Sequence, residues 1–231
     1  MAAFAATTLM AAPASAKLIS FADFDAGNEG GIANGSSIDF GDGVVIGFES
    51  NSGLNASSGG WSRSIQYNPY FDDVSGGKPG GLGVCRALDG AAGNGAPGAE
   101  CADASDDSID GEMGSNEGII LTFFGQNFDL LSLSFRDGDH NSLNASNGLV
   151  YFFQYSPARG DVVFGTTTFA DLVMRAIAGE FTDTNTFGLR YVNTEFYLEA
   201  ISDVPLPAAL PVLLAGLGGL GFASRKRKNT A

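Results

Sequence analysis

Residues 119–135 read IILTFFGQNFDLLSLSF, two apolar runs separated by Gly125-Gln126-Asn127. In Asp129–Phe135, Leu131, Leu133 and Phe135 alternate with Leu130, Ser132 and Ser134. A period of two places one set on a buried face and the other on a wetter one. Gly, Gln and Asn between two such runs predict a hairpin turn. Similar short runs occur at Leu18–Phe24, Ile38–Phe40, Val44–Phe48, Leu149–Tyr155, Val162–Thr168, Phe187–Val192 and Glu195–Ile201. Glycine, Asn, Asp and Ser bound them, as strand-joining turns require. Only Ala170–Ala178 suggests a helix, with Ala176-Ile177-Ala178 equally readable as strand, and residues 50–60 read as a Ser/Gly/Asn loop. The expected fold is all-β, a single jelly-roll-like β-sandwich over residues 17–203.

Composition agrees with many turns. The 231 residues include 33 glycines, 44% are apolar, and only 16% are charged. A helical bundle would carry more Lys, Glu and Arg on its outer faces. The formal charge of −14 argues against nucleic acid as a partner, which needs a basic face. One histidine and two cysteines exclude a site built from several His and Cys ligands.

The two ends read as addresses. Residues 1–16, MAAFAATTLMAAPASA, carry no charged side chain and close on Ala14-Ser15-Ala16. Small residues at those positions suit signal peptidase, so Lys17 should open the mature chain. At the other end, Val204–Ala223 is uncharged and leads to Arg225-Lys226-Arg227-Lys228. Twenty helical residues would span about 30 Å, the thickness of a hydrocarbon core. The expected arrangement is a motif at 204–208, a transmembrane helix at 209–223 and a cytoplasmic basic tail at 225–228. All 26 acids and only 8 bases lie in residues 17–203, so the exported body alone carries −18.

This tail (Val204-Pro205-Leu206-Pro207-Ala208, a Gly/Leu-rich helix and a terminal basic cluster) resembles the VPLPA variant of the PEP-CTERM sorting signal. The resemblance implies export in a Gram-negative bacterium and tethering to the inner membrane through the C-terminal helix. It also implies processing by an exosortase-type enzyme, and then residence at the cell surface or beyond it, with exopolysaccharide as a partner. It implies no activity for the body. The prolines fit a cleavage segment, because they fix φ, lack N–H donors and keep the chain extended.

Chemistry-bearing residues in the body are few. Cys85 and Cys101 bracket a Gly/Ala-rich loop, and an oxidising compartment would pair them. Asp103, Asp106, Asp107, Asp110, Glu112 and Glu117 crowd one stretch, while Asp137-Gly138-Asp139-His140-Asn141 has D-x-D-x-N spacing. Carboxylates crowded in loops suit calcium, so Asp103, Asp106, Asp107, Asp110, Glu117, Asp137 and Asp139 are candidate ligands. The second cluster is no EF-hand, having Ser142 at its sixth position and Gly148 at its twelfth. Read without calcium, the same acids are solvated turns. His140 lacks a G-x-S-x-G partner motif, and no enzyme is expected. Trp61, Tyr67, Tyr70 and Phe71 read as core first and a sugar-stacking surface second. An exported structural or matrix protein is therefore the leading expectation, with a calcium-dependent carbohydrate-binding module as the alternative and a hydrolase behind both.

Overall fold

The computed structural model describes residues 17–22, 24, 29–52, 65–72, 78–102, 107–111, 116–125, 127–157 and 161–203. These residues form fourteen strands and one helix: β1 (Leu18–Ser20), β2 (Gly30–Gly31), β3 (Ser37–Asp39), β4 (Val45–Ser52), β5 (Ile65–Asp72), β6 (Gly81–Cys85), β7 (Glu117–Phe124), β8 (Phe128–Leu130), β9 (Ser132–Arg136), β10 (Leu149–Ser156), β11 (Asp161–Thr168), α1 (Phe169–Ile177), β12 (Phe181–Thr184), β13 (Thr186–Tyr191) and β14 (Tyr197–Ser202). The all-β expectation holds at this level.

Twelve of the strands form one curled antiparallel sheet in the order β1-β14-β6-β5-β4-β7-β13-β10-β11, with β2 on β5, β3 on β4 and β9 on β14, and β8 pairs with β12 in a separate two-stranded sheet. One limb, β4-β7-β13-β10-β11, is built largely from long strands in continuous register; Val45↔Phe124 through Ser52↔Glu117 runs without a shift. Its odd-numbered β7 residues Ile119, Leu121 and Phe123 face the interior with Ile46 and Phe48 of β4 and Val150 and Phe152 of β10. The other limb, β1-β14-β6 with β9, is short and interrupted, with a register shift between Leu198 and Ala200.

Helix α1 packs against β9 and β11, the strands at the two ends of the curl. Thr168 caps it by accepting from Asp171 N, and Gly179 ends it at φ +77°. Its buried face is Phe169, Leu172, Val173 and Ala176, and Phe169 meets Phe135 at 5.1 Å and Phe196 at 5.2 Å. Burying four apolar side chains between the ends of the sheet removes apolar surface that the curl would otherwise leave wet.

The hairpin expected at Gly125–Asn127 does not form. Both edges of β7 are taken, by β4 and β13, so the chain after Phe124 leaves that limb. It continues into β8, which pairs with β12, and β9, which pairs with β14. The alternation through Asp129–Phe135 also breaks at Leu131, whose N–H reaches Ser202 O at 2.9 Å. Leu130, Leu133 and Phe135 are buried, while Leu131 is only partly so. The aromatic cluster read as core first is buried where it is described: Tyr67, Tyr70 and Phe71 are buried in β5, and Trp61 lies outside the described residues.

Candidate functional site

The two ends of the body meet. Leu18–Ser20 pairs antiparallel with Ala200–Ser202, so Lys17 lies beside Asp203. Lys17 N donates to Asp203 Oδ1 at 2.6 Å, Asp203 N donates to Lys17 O at 3.1 Å, and Ser202 Oγ donates to the same carbonyl at 3.0 Å. The Lys17 ammonium donates to Gly41 O and stands 3.8 Å from Asp42 in the turn between β3 and β4. One residue thus ties the first strand, the last strand and a turn. Leu18, beside it, is 69% exposed.

The disulfide expected from sequence is present. Cys85 at the end of β6 and Cys101 are joined with Cα atoms 5.9 Å apart. The loop it closes is a docking partner for β2: Gly31 N donates to Ala99 O, while Gly93 N and Gly98 N donate to Gly31 O, at 2.9–3.0 Å. Cys101 N donates to the hydroxyl of Tyr70 at 3.3 Å, and burial pushes that phenol upward from its ordinary value. Close approach explains one glycine nearby: a Cβ on Gly83 would lie 1.9 Å from Asp107 O.

The candidate calcium ligands divide three ways. Asp103 and Asp106, with Glu112, lie outside the described residues. Asp110 and Glu117 are joined to Arg86: Nε donates to Glu117 Oε1 at 2.8 Å and NH2 stands 3.5 Å from Asp110 Oδ1. Glu117 is 1% exposed, and burial pushes its carboxyl up to about 7 despite the Arg86 bond. The guanidinium also lies over the Tyr67 ring, 5.7 Å from its centroid. Asp107 accepts from the hydroxyl of Tyr197.

Asp137 and Asp139 sit in the turn after β9. Asp137 Oδ1 accepts from Asp139 N at 3.0 Å and Asn141 N at 2.7 Å, the geometry of an Asx turn. Among the described residues, no three His, Cys, Asp or Glu side chains are grouped to hold a metal ion. His140 is turned inward at φ +59°. Its Nε2 is 2.9 Å from Asp72 Oδ2, its Nδ1 is 3.3 Å from Lys78 O, and its ring meets Tyr197 edge-on at 5.4 Å. Lys78 Nζ in turn donates to Asn141 Oδ1 at 2.7 Å. His140 therefore fastens the turn to β5.

Sequence reasoning did not single out Arg86, Asp72, Lys78 or Asp203. The available signal was scarcity: with only 8 bases among 26 acids in the body, each cation is a candidate tether.

The segment immediately after β14 is where the chain matches a known family model. Residues 203–228 match the model of the PEP-CTERM protein-sorting motif. The chain carries a PEP-CTERM sorting signal. The motif marks an exported protein processed at the membrane by an exosortase-type enzyme. No curated protein and no solved structure matches the chain. Among the described residues no helix is long and apolar enough to cross a membrane. The expected helix at 209–223, the motif residues Val204–Ala208, the basic tail, and Ala14 and Ala16 of the expected leader cleavage site lie outside the described residues.

Proposed function

We propose that this PEP-CTERM protein is a structural component of the cell surface or extracellular matrix of a Gram-negative bacterium, associated with exopolysaccharide. In this reading the leader is residues 1–16, the body 17–203 and the VPLPA-type signal 204–231. The observation that carries it is the position of the sorting match, which begins at Asp203, one residue beyond the last strand. The folded body thus abuts the segment the enzyme would cut, with Val204-Pro205-Leu206-Pro207-Ala208 next in the chain. Prolines there resist helix formation and leave the backbone open to attack.

We also read the curled sheet as a jelly-roll-like sandwich, because Phe21 beside the short limb packs on Phe48 of the long one at 6.1 Å. The reading gives His140 a structural part and the body no catalysis, since its ring is engaged by Asp72 and Lys78. A carbohydrate-binding module is supported less well: Tyr70, one of the rings such a surface would use, is 1% exposed. Calcium stays a proposal for the acids Arg86 does not engage. Intact mass and cell fractionation test the main reading. With the sorting enzyme present, the chain should end near Pro207 or Ala208 and leave the inner membrane. A full-length C-terminus on exported protein from that host overturns it.

A further inference from the structure

We propose that leader removal creates a structural ion pair: the α-ammonium of Lys17 locks onto Asp203, the residue from which the sorting signal begins. The proposal rests on the export reading, because it takes cleavage between Ala16 and Lys17 as given. Water hydrolyses that peptide bond to a carboxylate on Ala16 and an amine on Lys17, and at neutral pH the amine holds the proton as an ammonium. The nitrogen that becomes charged is already placed, since Lys17 N stands 2.6 Å from Asp203 Oδ1.

Cleavage therefore replaces an uncharged donor to the Asp203 carboxylate by a cationic one at the same site, so that both partners are charged. The pair then adds Coulomb attraction between two full charges to the hydrogen bond. The surrounding contacts hold the residue for it. Asp203 N and Ser202 Oγ both donate to Lys17 O, and β1 continues the pairing through Ile19↔Ile201 and Ser20↔Ala200. The side-chain ammonium is occupied elsewhere, at Gly41 O and near Asp42, so Asp203 is left to the backbone nitrogen.

The consequence concerns the order of maturation. The β1–β14 pairing beside the start of the sorting segment is strengthened only after the leader has gone. A chain that keeps its leader presents the exosortase-type enzyme with a looser junction at 203–204. A processed chain presents a fixed one.

The test uses the leaderless chain Lys17–Ala231 in detergent, released from a tag so that Lys17 is the first residue. It is compared with the same chain retaining Ala16, which keeps the Lys17 N–H but moves the ammonium one residue away. Both are made with Asp203 and with Asp203→Asn, and melted near pH 6.5. Retaining Ala16 should lower the melting temperature by roughly 2–4 °C in the Asp203 background, and by almost nothing in the Asp203→Asn background. Equal melting of the two Asp203 chains, or the same loss in both backgrounds, overturns the proposal. N-terminal sequencing of the native exported protein adds a second check. A start other than Lys17 also overturns it, while the sorting reading is judged separately, by the mass of the C-terminal end.

Discussion

The two limbs of the sheet reach order by different means. In β4-β7-β13-β10-β11, strands of six to eight residues run in unbroken register and apolar residues on alternate positions face one interior. No single contact is indispensable to that pattern, because its stability is spread over many buried side chains. In β1-β14-β6 and β9, strands of three to six residues are held by particular bonds: a disulfide, the Arg86 cluster, the His140–Asp72 contact and the Lys17–Asp203 pair. Short strands bury too little apolar surface to fix themselves. Covalent and charged tethers take over where hydrophobic period runs out.

The largest expected effect breaks the regular limb at its centre. Phe152→Ala removes a ring 1% exposed that meets Phe181 at 5.6 Å, and should cost about 3–5 kcal/mol in denaturant unfolding. A loss under about 1 kcal/mol would show that the long limb is less cooperative than its register implies.

Removing Arg86 tests the tethered limb. Arg86→Met leaves the Glu117 carboxylate buried without its partner, and breaking a buried pair costs about 3–5 kcal/mol. The penalty should be large at pH 8 and shrink toward pH 5, because a protonated Glu117 needs no counter-charge. The parent chain has the same sign. Its Glu117 is raised from 4.5 to about 7, so the folded state holds a proton that the unfolded chain has released between those values. Stability from this group is present at the acidic end and lost as pH rises through 7. Glu117→Gln should flatten that part of the pH–stability curve, and an unchanged slope would assign it to other groups.

Replacing Cys85 and Cys101 by Ser should cost about 3 kcal/mol by the chain-entropy argument. Hydrogen exchange should rise in residues 86–100 and at Gly31, which bonds to that loop, with β7, β10 and β13 little changed. Exchange rising equally in both limbs would dissolve the distinction between them.

Calcium should give the smallest effect. Arg86 already engages Asp110 and Glu117, and the Asp137 carboxylate accepts from its own turn. A calcium-specific rise of a few degrees over magnesium, at fixed ionic strength, is the expected sign of a site using the remaining acids. Equal responses to both ions would leave the acids that Arg86 does not engage without a calcium role.

Legibility followed the same division. Strands β4, β7, β10, β11, β13 and β14 and helix α1 announce themselves through apolar runs and an Ala-rich segment, because local period reflects which face will be buried. Strands β2, β5, β6 and β12 lack such a signal: Gly30-Gly31 has no side chains to show a period, and Pro69 interrupts the run within β5. The disulfide was legible from compartment and composition alone. The hairpin at Gly125–Asn127 failed because turn residues report a change of direction and do not name the next partner.

By itself the sequence determined the β class, the acidic body, the Cys85–Cys101 pair and the sorting signal at the C-terminus, since each depends on residue type and short-range order. Only the tertiary structure decided that β7 lies between β4 and β13, that Glu117 shares Arg86 with Asp110, and that Lys17 meets Asp203. Those contacts join residues up to 186 positions apart. A pairing at that distance is selected by how the whole sheet curls and by which edges are already filled, which no local stretch of sequence encodes.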